Sequence, residues 1–177
     1  MEERTGTILG TRLIHSGRVF DIVSDRVRLP NGHETTMDVV RHPPSVILIP
    51  MLDVEKVVLV HQFRYSINRW IWELPAGTLE PGEHVEAAAR RECEEETGYA
   101  AGRVERLGAF YPTPGYCDEL MHFLRLTDLT TPPVRAPRDE DEVLEPAVYT
   151  LDDARRLVST DDATDMKTVL GLSLAAR

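Results

Sequence analysis

Four of the five residues from position 92 to position 96 are glutamates, namely Glu92, Glu94, Glu95 and Glu96. Like charges one turn apart destabilise a helix, so this crowding does not help a purely structural segment. Carboxylate oxygens are ligands that Mg²⁺ prefers, and a bound cation would offset the repulsion. The cluster therefore indicates either a solvent-exposed acidic face or a site for a divalent cation.

A helix is predicted for the segment that carries these glutamates, from about His84 to Thr97, with Gly98 as its stop signal. At about 100° per residue, one side of this helix, an arc of roughly 120°, contains six residues: Val85, Ala88, Ala89, Glu92, Glu95 and Glu96. Because the stripe begins apolar, as a core-facing stripe does, we expect its carboxylates to point inward. Buried unpaired carboxylates cost several kcal/mol, which favours the cation site over the exposed face.

The elements around this helix are predicted to be strands on its N-terminal side and a mixture of strands and helices after it. Strand-like segments with turn signals between them, joined most simply as hairpins, cover 11–17, 19–29, 35–40, 45–52 and 56–63. Two further strands, a polar loop and two helices are expected at 103–111, 120–126, 127–142, 151–159 and 165–176. The predicted class is α+β, with a mixed sheet and an N-terminal antiparallel strand region.

Composition limits the partners and the compartment. The formal net charge of −10 repels nucleic-acid phosphates, so no nucleic-acid partner is expected. The longest apolar run, Val46 to Leu52, is far too short to span a membrane, and the N-terminus lacks the apolar region of a signal peptide. The two cysteines, Cys93 and Cys117, are typical of a reducing compartment rather than of a disulfide framework. We expect a cytoplasmic protein without a membrane partner.

The stretch that contains the glutamates resembles the Nudix hydrolase signature, G-x5-E-x7-R-E-U-x-E-E-x-G-U, in which U is aliphatic. Every fixed position matches, at Gly77, Glu83, Arg91, Glu92, Glu95, Glu96 and Gly98. The two aliphatic positions hold Cys93 and Tyr99 instead, a departure that affects packing and leaves the acidic residues intact. The resemblance implies an α/β/α sandwich that hydrolyses a nucleoside diphosphate linked to another moiety, with Mg²⁺ or Mn²⁺ as cofactor.

The resemblance also implies roles for these residues. Those at the positions of Glu92 and Glu96 are metal ligands, and the one at the position of Glu95 is a ligand or a base-like helper. The pair Glu83 and Arg91 holds the loop against the helix; the alternative for Arg91 is a simple surface ion pair, worth roughly 0 to 1 kcal/mol. The remaining fixed positions, Gly77 and Gly98, are structural.

The flanking segments are similar to the ADP-ribose pyrophosphatase branch, in which a proline lies 16 residues after the last signature glycine. Pro114 has that position here, followed by Gly115, although the same residues also suit an ordinary rigid turn. In this branch the alanine that matches Ala76 binds a metal through its backbone carbonyl. The arginine that matches Arg64 contacts the phosphates, a task that suits a planar guanidinium.

A second acidic cluster, Asp139 to Glu142, lies in the polar loop. An isolated run of this kind is usually a solvated loop. In the ADP-ribose branch, however, a loop at this position carries a glutamate that serves as or assists the general base. Glu142 is the first candidate for that role, Glu140 is the alternative, and Glu95 on the signature helix is the third.

Members of this branch form intertwined dimers in which N-terminal strands help to build the partner's adenine site. The resemblance therefore implies a homodimer, with residues 1–42 as a strand region that contributes to the dimer and the substrate site, and 43–177 as the catalytic domain. Arg18 and Phe20 are candidates for substrate contacts, by charge and by stacking. The alternative for Phe20 is a place in the core of a strand.

Three functions remain open from the sequence. The first is Mg²⁺-dependent hydrolysis of ADP-ribose to AMP and ribose 5-phosphate. The second retains the chemistry but acts on another nucleotide sugar or a nucleoside triphosphate. The third is a sensor that binds a nucleotide sugar without turnover, for which a degenerate signature would be expected, whereas this one is intact.

Overall fold

The computed structural model describes residues 5–134, 143–160 and 165–175. The chain divides into two units. One comprises Met1–Pro44 and Tyr111–Leu120, and the other comprises Ser45–Phe110 and Met121–Arg177. A contribution of the N-terminal strand region to a dimer and to a substrate site stays a prediction.

The first unit is an antiparallel sheet of three strands, β1 (Thr7–Ser16), β2 (Asp21–Arg28) and β3 (Glu34–Arg41). A tight turn joins β2 to β3, and Gly32 in this turn has a φ of 87°, a conformation that side chains with a Cβ rarely adopt. Residues 111–120 extend this unit, because the amide of Val40 donates a 2.7 Å hydrogen bond to the carbonyl oxygen of Tyr116. The unit is therefore built from two separate stretches of the chain.

The second unit contains two sheets. Its strands are β4 (Ser45–Pro50), β5 (Lys56–Arg64), β6 (Arg69–Glu73), β7 (Ala76–Thr78), β8 (Ala100–Phe110), β9 (Met121–Thr130) and β10 (Leu144–Thr150). One sheet has the order β7-β4-β9-β8 and is mixed, since β4 runs parallel to β9 and antiparallel to β7. The other sheet has the order β10-β5-β6 and is antiparallel.

Three helices in the described ranges pack on these sheets. They are α1 (Val85–Glu92), which continues as a π-helix over Cys93–Thr97, α2 (Leu151–Thr160) and α3 (Met166–Leu174). Gly98, with a φ of 77°, ends the π-helix as the sequence predicted. No helix in the part of the chain that the structure describes is long and apolar enough to cross a membrane.

Strand β4 lies at the centre of the core and is buried on both faces. Val46 and Leu48 pack in one apolar cluster with Ala88, Ala89 and Cys93 of the signature helix and its π-turn. Ile47 and Ile49, whose side chains point the other way, pack in a second cluster with residues of α2 and α3 such as Val158 and Leu172. This alternation places helices on both sides of the sheet. The predicted α+β class and α/β/α sandwich are confirmed.

The expectation of simple hairpins is confirmed only in part at β4 and β5. Their connection is antiparallel at its turn, where Met51 bridges Val57 and the amide of Leu52 donates to the carbonyl oxygen of Lys56. Beyond the turn the two strands enter different sheets, and β4 takes β7 and the parallel β9 as its neighbours. A long-range parallel pairing of this kind leaves no local signal in the sequence. Three strands, β6, β7 and β10, were not predicted from the sequence. Strand β10 contains Pro146, which normally argues against a strand. In the structure β10 lies at the edge of its sheet, where proline is tolerated.

Candidate active site

The signature glutamates lie where the sequence placed them, on the inward face of the helix. The side chain of Glu96 is fully buried and that of Glu92 nearly so, with 1% and 7% of their surface exposed, whereas Glu95 is half-buried. The backbone changes from α-helix to π-helix directly after Glu92. Such wider turns occur often at functional sites, because they redirect side chains within a helix. The glutamates therefore form a largely buried acidic cluster.

Strand β7 forms the opposite wall of this cluster. The amide of Ala76 donates a hydrogen bond of 3.2 Å to Oε2 of Glu96. At Gly77 an added Cβ would lie only 1.9 Å from Cδ and Oε1 of Glu92. The carboxylate of Glu92 thus occupies the space that any other residue at position 77 would need for its side chain. This contact explains why the signature has a glycine there.

The loop before the helix is held by a bidentate ion pair. Nε and Nη2 of Arg91 each donate a hydrogen bond of 3.0 Å to the carboxylate of Glu83, and Nη2 also reaches the carbonyl oxygen of Thr78 at 3.3 Å. The hydrogen bonds from Arg91 lower the pKa of Glu83 below its ordinary value. Both side chains are partly buried, which separates this pair from an exposed surface ion pair. The pair fixes the loop against the helix.

Arg91 also contacts the acidic cluster. Its Nη1 donates to Glu92 at 2.7 Å and to Glu95 at 3.0 Å. The hydrogen bonds that Arg91 donates to Glu83, together with the charge of Glu92, raise the pKa of Arg91 above its ordinary value. Among the described residues, no three acidic, histidine or cysteine side chains form a ready coordination shell. The donor set nevertheless fits a hard divalent cation, since the buried carboxylates of Glu92 and Glu96 lie against the adjacent residues Gly77 and Ala76 of β7.

A second charged group lies at the ends of β5 and β6. Nε and Nη2 of Arg64 each donate a 2.7 Å hydrogen bond to the carboxylate of Glu73, which is 1% exposed. The ammonium group of Lys167 contacts the same carboxylate and lies 2.9 Å from Asp165. Burial alone would raise the pKa of Glu73, but Arg64 and Lys167 outweigh it and hold the pKa below the ordinary value. The nearby charge of Glu96 contributes to a raised pKa of Arg64.

The remaining predicted residues fall into two groups. Some belong to the first unit, and the others lie outside the described residues. Arg18 and Phe20 follow β1 in the first unit, and Phe20 is 42% exposed rather than part of a strand core. Pro114 and Gly115 lie in the 111–120 segment of that unit and are exposed. The two loop candidates for the base, Glu140 and Glu142, lie outside the described residues.

Sequence reasoning missed Glu73 and Lys167. Each is a charged residue in an otherwise apolar context, within "WIWELP" and "MKTVLGLSL" respectively. A charge that the periodic pattern assigns to the interior requires a partner of opposite sign. That signal could have paired the two residues, although 94 positions separate them in the chain.

Comparison with known proteins places these features in a family. The model of the NUDIX domain matches residues 41–170. An ADP-ribose pyrophosphatase of Bacillus subtilis (strain 168) is 39% identical over 172 residues, which cover 97% of this chain and 91% of that protein. A methanol dehydrogenase activator of Bacillus methanolicus is also 39% identical, over 171 residues and the same shares of both chains. A crystal structure of an ADP compounds hydrolase has the same fold, with a TM-score of 0.83, 23% identity and coverage of 99% of this chain and 95% of that one.

Proposed function

Since this chain belongs to the NUDIX domain family, we propose that it hydrolyses the pyrophosphate bond of ADP-ribose to AMP and ribose 5-phosphate. The observation that carries this proposal is the buried acidic cluster, in which Glu92 and Glu96 face Ala76 and Gly77. The choice of substrate is supported by the Bacillus subtilis relative, whose similarity extends over 97% of this chain.

The acidic cluster is suited to hold Mg²⁺, with Mn²⁺ as a possible substitute. Glu92, Glu95 and Glu96 would supply carboxylate oxygens, and the backbone carbonyl of Ala76 would complete the protein ligands. Such a cation would neutralise the pyrophosphate and lower the pKa of a bound water. Arg91 holds two of these carboxylates at 2.7 and 3.0 Å and so keeps them oriented toward one another.

Substrate recognition is assigned to residues outside the acidic cluster. Arg64, whose side chain is partly exposed, would bind the phosphates with guanidinium donors. Arg18 and Phe20 would contact the nucleoside, a role that the partial exposure of Phe20 permits. Pro114 and Gly115 would form a turn against the substrate, as in the branch that the sequence resembles.

The general base is assigned to the acidic loop, with Glu142 as the first candidate and Glu140 as the alternative. The loop follows β9 and precedes β10, and its acids would approach the attacking water when substrate is bound. Glu95, half-buried and hydrogen-bonded to Arg91, is the third candidate.

We further propose that the active form is a cytoplasmic homodimer. Several large apolar side chains of β1 and the turn after it are exposed, namely Ile8, Leu13, Ile14, Val19 and Phe20. A second copy of the chain would remove this apolar surface from water. The presence of two free cysteines is typical of a reducing compartment.

A substrate screen tests the proposal. The protein is incubated with Mg²⁺ and a panel of ADP-ribose, ADP-sugars, GDP-mannose and nucleoside triphosphates, and phosphate is measured after a phosphatase has acted on the products. ADP-ribose should give the highest kcat/KM, and the products should be AMP and ribose 5-phosphate. A clear preference for another compound would transfer the function to that substrate while retaining the chemistry.

A second candidate function comes from the Bacillus methanolicus relative, which is named for activation of methanol dehydrogenase. Under this alternative, the protein would act on a partner enzyme. The complete set of signature acids favours turnover of a nucleotide in either case. Addition of the protein and Mg²⁺ to a purified methanol dehydrogenase distinguishes the two functions, because only the alternative predicts a change in the dehydrogenase rate.

A further inference from the structure

The carboxylate of Glu73 is the centre of a buried charge network that lies outside the signature. Glu73 ends β6, with its side chain buried between the guanidinium of Arg64 and the ammonium of Lys167. Lys167 in turn contacts Asp165, the residue that caps α3. The network has two positive and two negative groups, so its formal charges cancel. A buried carboxylate is tolerated only with such partners.

The pairing with Glu73 controls how Arg64 can meet an anion. The two hydrogen bonds to Glu73 use the N–H of Nε and one N–H of Nη2. The other three of the five guanidinium N–H groups are not used by this pair. The Arg64 side chain is 38% exposed, whereas Glu73 is almost completely buried. Glu73 therefore fixes one edge of the Arg64 guanidinium, and the side chain remains partly accessible to solvent.

The acidic cluster competes for the same guanidinium. Glu96 accepts a 3.2 Å hydrogen bond from the amide of Ala76, three residues after Glu73 in the chain. Hydrogen bonds to Glu73 contribute most to the raised pKa of Arg64, and the charge of Glu96 adds to it. An arginine released from Glu73 would be drawn toward this neighbouring carboxylate. A contact between Arg64 and Glu96 would remove the arginine from the substrate and occupy an acid of the cluster. The bidentate geometry at Glu73 prevents this, because it holds two donors in a fixed orientation.

We propose that Glu73 is a positioning residue, which holds Arg64 toward the pyrophosphate of the substrate and away from Glu96, with Lys167 as the balancing charge. The identity of the anion rests on the proposed function, whereas the orientation of Arg64 does not. Glu73 itself touches no reacting atom. Its effect on the reaction passes through Arg64.

Steady-state kinetics of Glu73→Gln test this role. Because Arg64 would contact the phosphates in both the ground state and the transition state, the variant should raise KM for ADP-ribose about tenfold or more. Its kcat at saturating Mg²⁺ should stay within about threefold of the wild-type value. In an Arg64→Ala background, Glu73→Gln should have no further effect on KM, because two residues that act as a unit are not additive.

Thr168→Val is the matched control. Thr168 is fully buried, accepts a 2.8 Å hydrogen bond from the amide of Leu74 and donates one of 2.6 Å to Asp165 at the far end of the network, but it does not touch Arg64. The variant should lower the unfolding temperature without a change in KM. If Glu73→Gln does not fold, the double variant Glu73→Gln/Lys167→Met is measured in its place. It removes one charge of each sign, so the network stays neutral, and the same rise in KM is expected.

NMR of the Arg64 side chain separates this inference from the proposed function. The Nε–H signal, assigned with Arg64→Lys, should exchange slowly with water in the wild type and in Thr168→Val, and rapidly in the Glu73 variant. A wild type that does not hydrolyse ADP-ribose would refute the proposed function, and the Nε–H signal would still test the positioning. A folded Glu73 variant with a protected Nε–H and an unchanged KM would overturn the inference.

Discussion

Replacement of Gly77 by alanine tests the geometry of the acidic cluster. The new Cβ would lie 1.9 Å from the Glu92 carboxylate, and ordinary van der Waals contact begins at 3.4 Å. The carboxylate must therefore move by more than 1 Å from its place in the cluster. Since a misplacement of about 1 Å costs about 100-fold in rate, Gly77→Ala should lower kcat for ADP-ribose hydrolysis by about that factor.

The same substitution should have little effect on stability. The atoms that clash belong to the end of the flexible Glu92 side chain, so a rotation of that side chain accommodates the alanine. We expect the unfolding free energy from urea titration to stay within about 1 kcal/mol of the wild-type value. Gly10→Ala, where an added Cβ meets nothing within 4 Å, is the control for the effect of such a substitution on the stability of the chain. A Gly77→Ala protein with wild-type kcat and an unchanged Mg²⁺ requirement would refute this account of the cradle.

Three further predictions concern the base, the assembly and the response to acid. Glu142→Gln should lower kcat by about 10²- to 10⁴-fold with little change in KM. If Glu140→Gln shows this loss and Glu142→Gln does not, Glu140 is the base instead. Light scattering at micromolar concentration should give the mass of a homodimer, and a fully active monomer would contradict the proposed assembly. Because the pKa of Glu73 in the folded protein lies below its ordinary value of 4.5, its contribution to stability is present above that pH and is lost as the pH falls further. The unfolding free energy should therefore fall below pH 4.5, and this fall should be smaller in Glu73→Gln.

The local features of the fold could be predicted because they depend on neighbouring residues. The helix and its stop at Gly98 follow from apolar periodicity and from the freedom of glycine to adopt a positive φ. The burial of Glu92 and Glu96 follows from the same periodicity. The family assignment is confirmed by the match to the NUDIX domain. It could be made from the sequence because the seven fixed residues of the signature lie within 22 consecutive positions.

The features that the sequence did not predict depend on distant residues. The parallel pairing of β4 with β9 joins strands that are more than 70 positions apart, and the contact between Glu73 and Lys167 joins residues 94 positions apart. The π-helix after Glu92 could not be foreseen either, because a count of 100° per residue assumes a regular α-helix. Glu95 is half-buried whereas Glu92 and Glu96 are buried, and this difference accompanies the change of helix type.

Hydrolysis of ADP-ribose followed by ³¹P NMR tests the central claim most directly. With Mg²⁺, the pyrophosphate signals should be replaced by those of AMP and ribose 5-phosphate, and EDTA should stop the reaction. Glu96→Gln, which keeps the shape of the buried side chain but removes its charge, should lower the rate by orders of magnitude. Near-normal turnover by Glu96→Gln, or turnover by the wild type in the presence of EDTA, would contradict a cation site built from the signature glutamates.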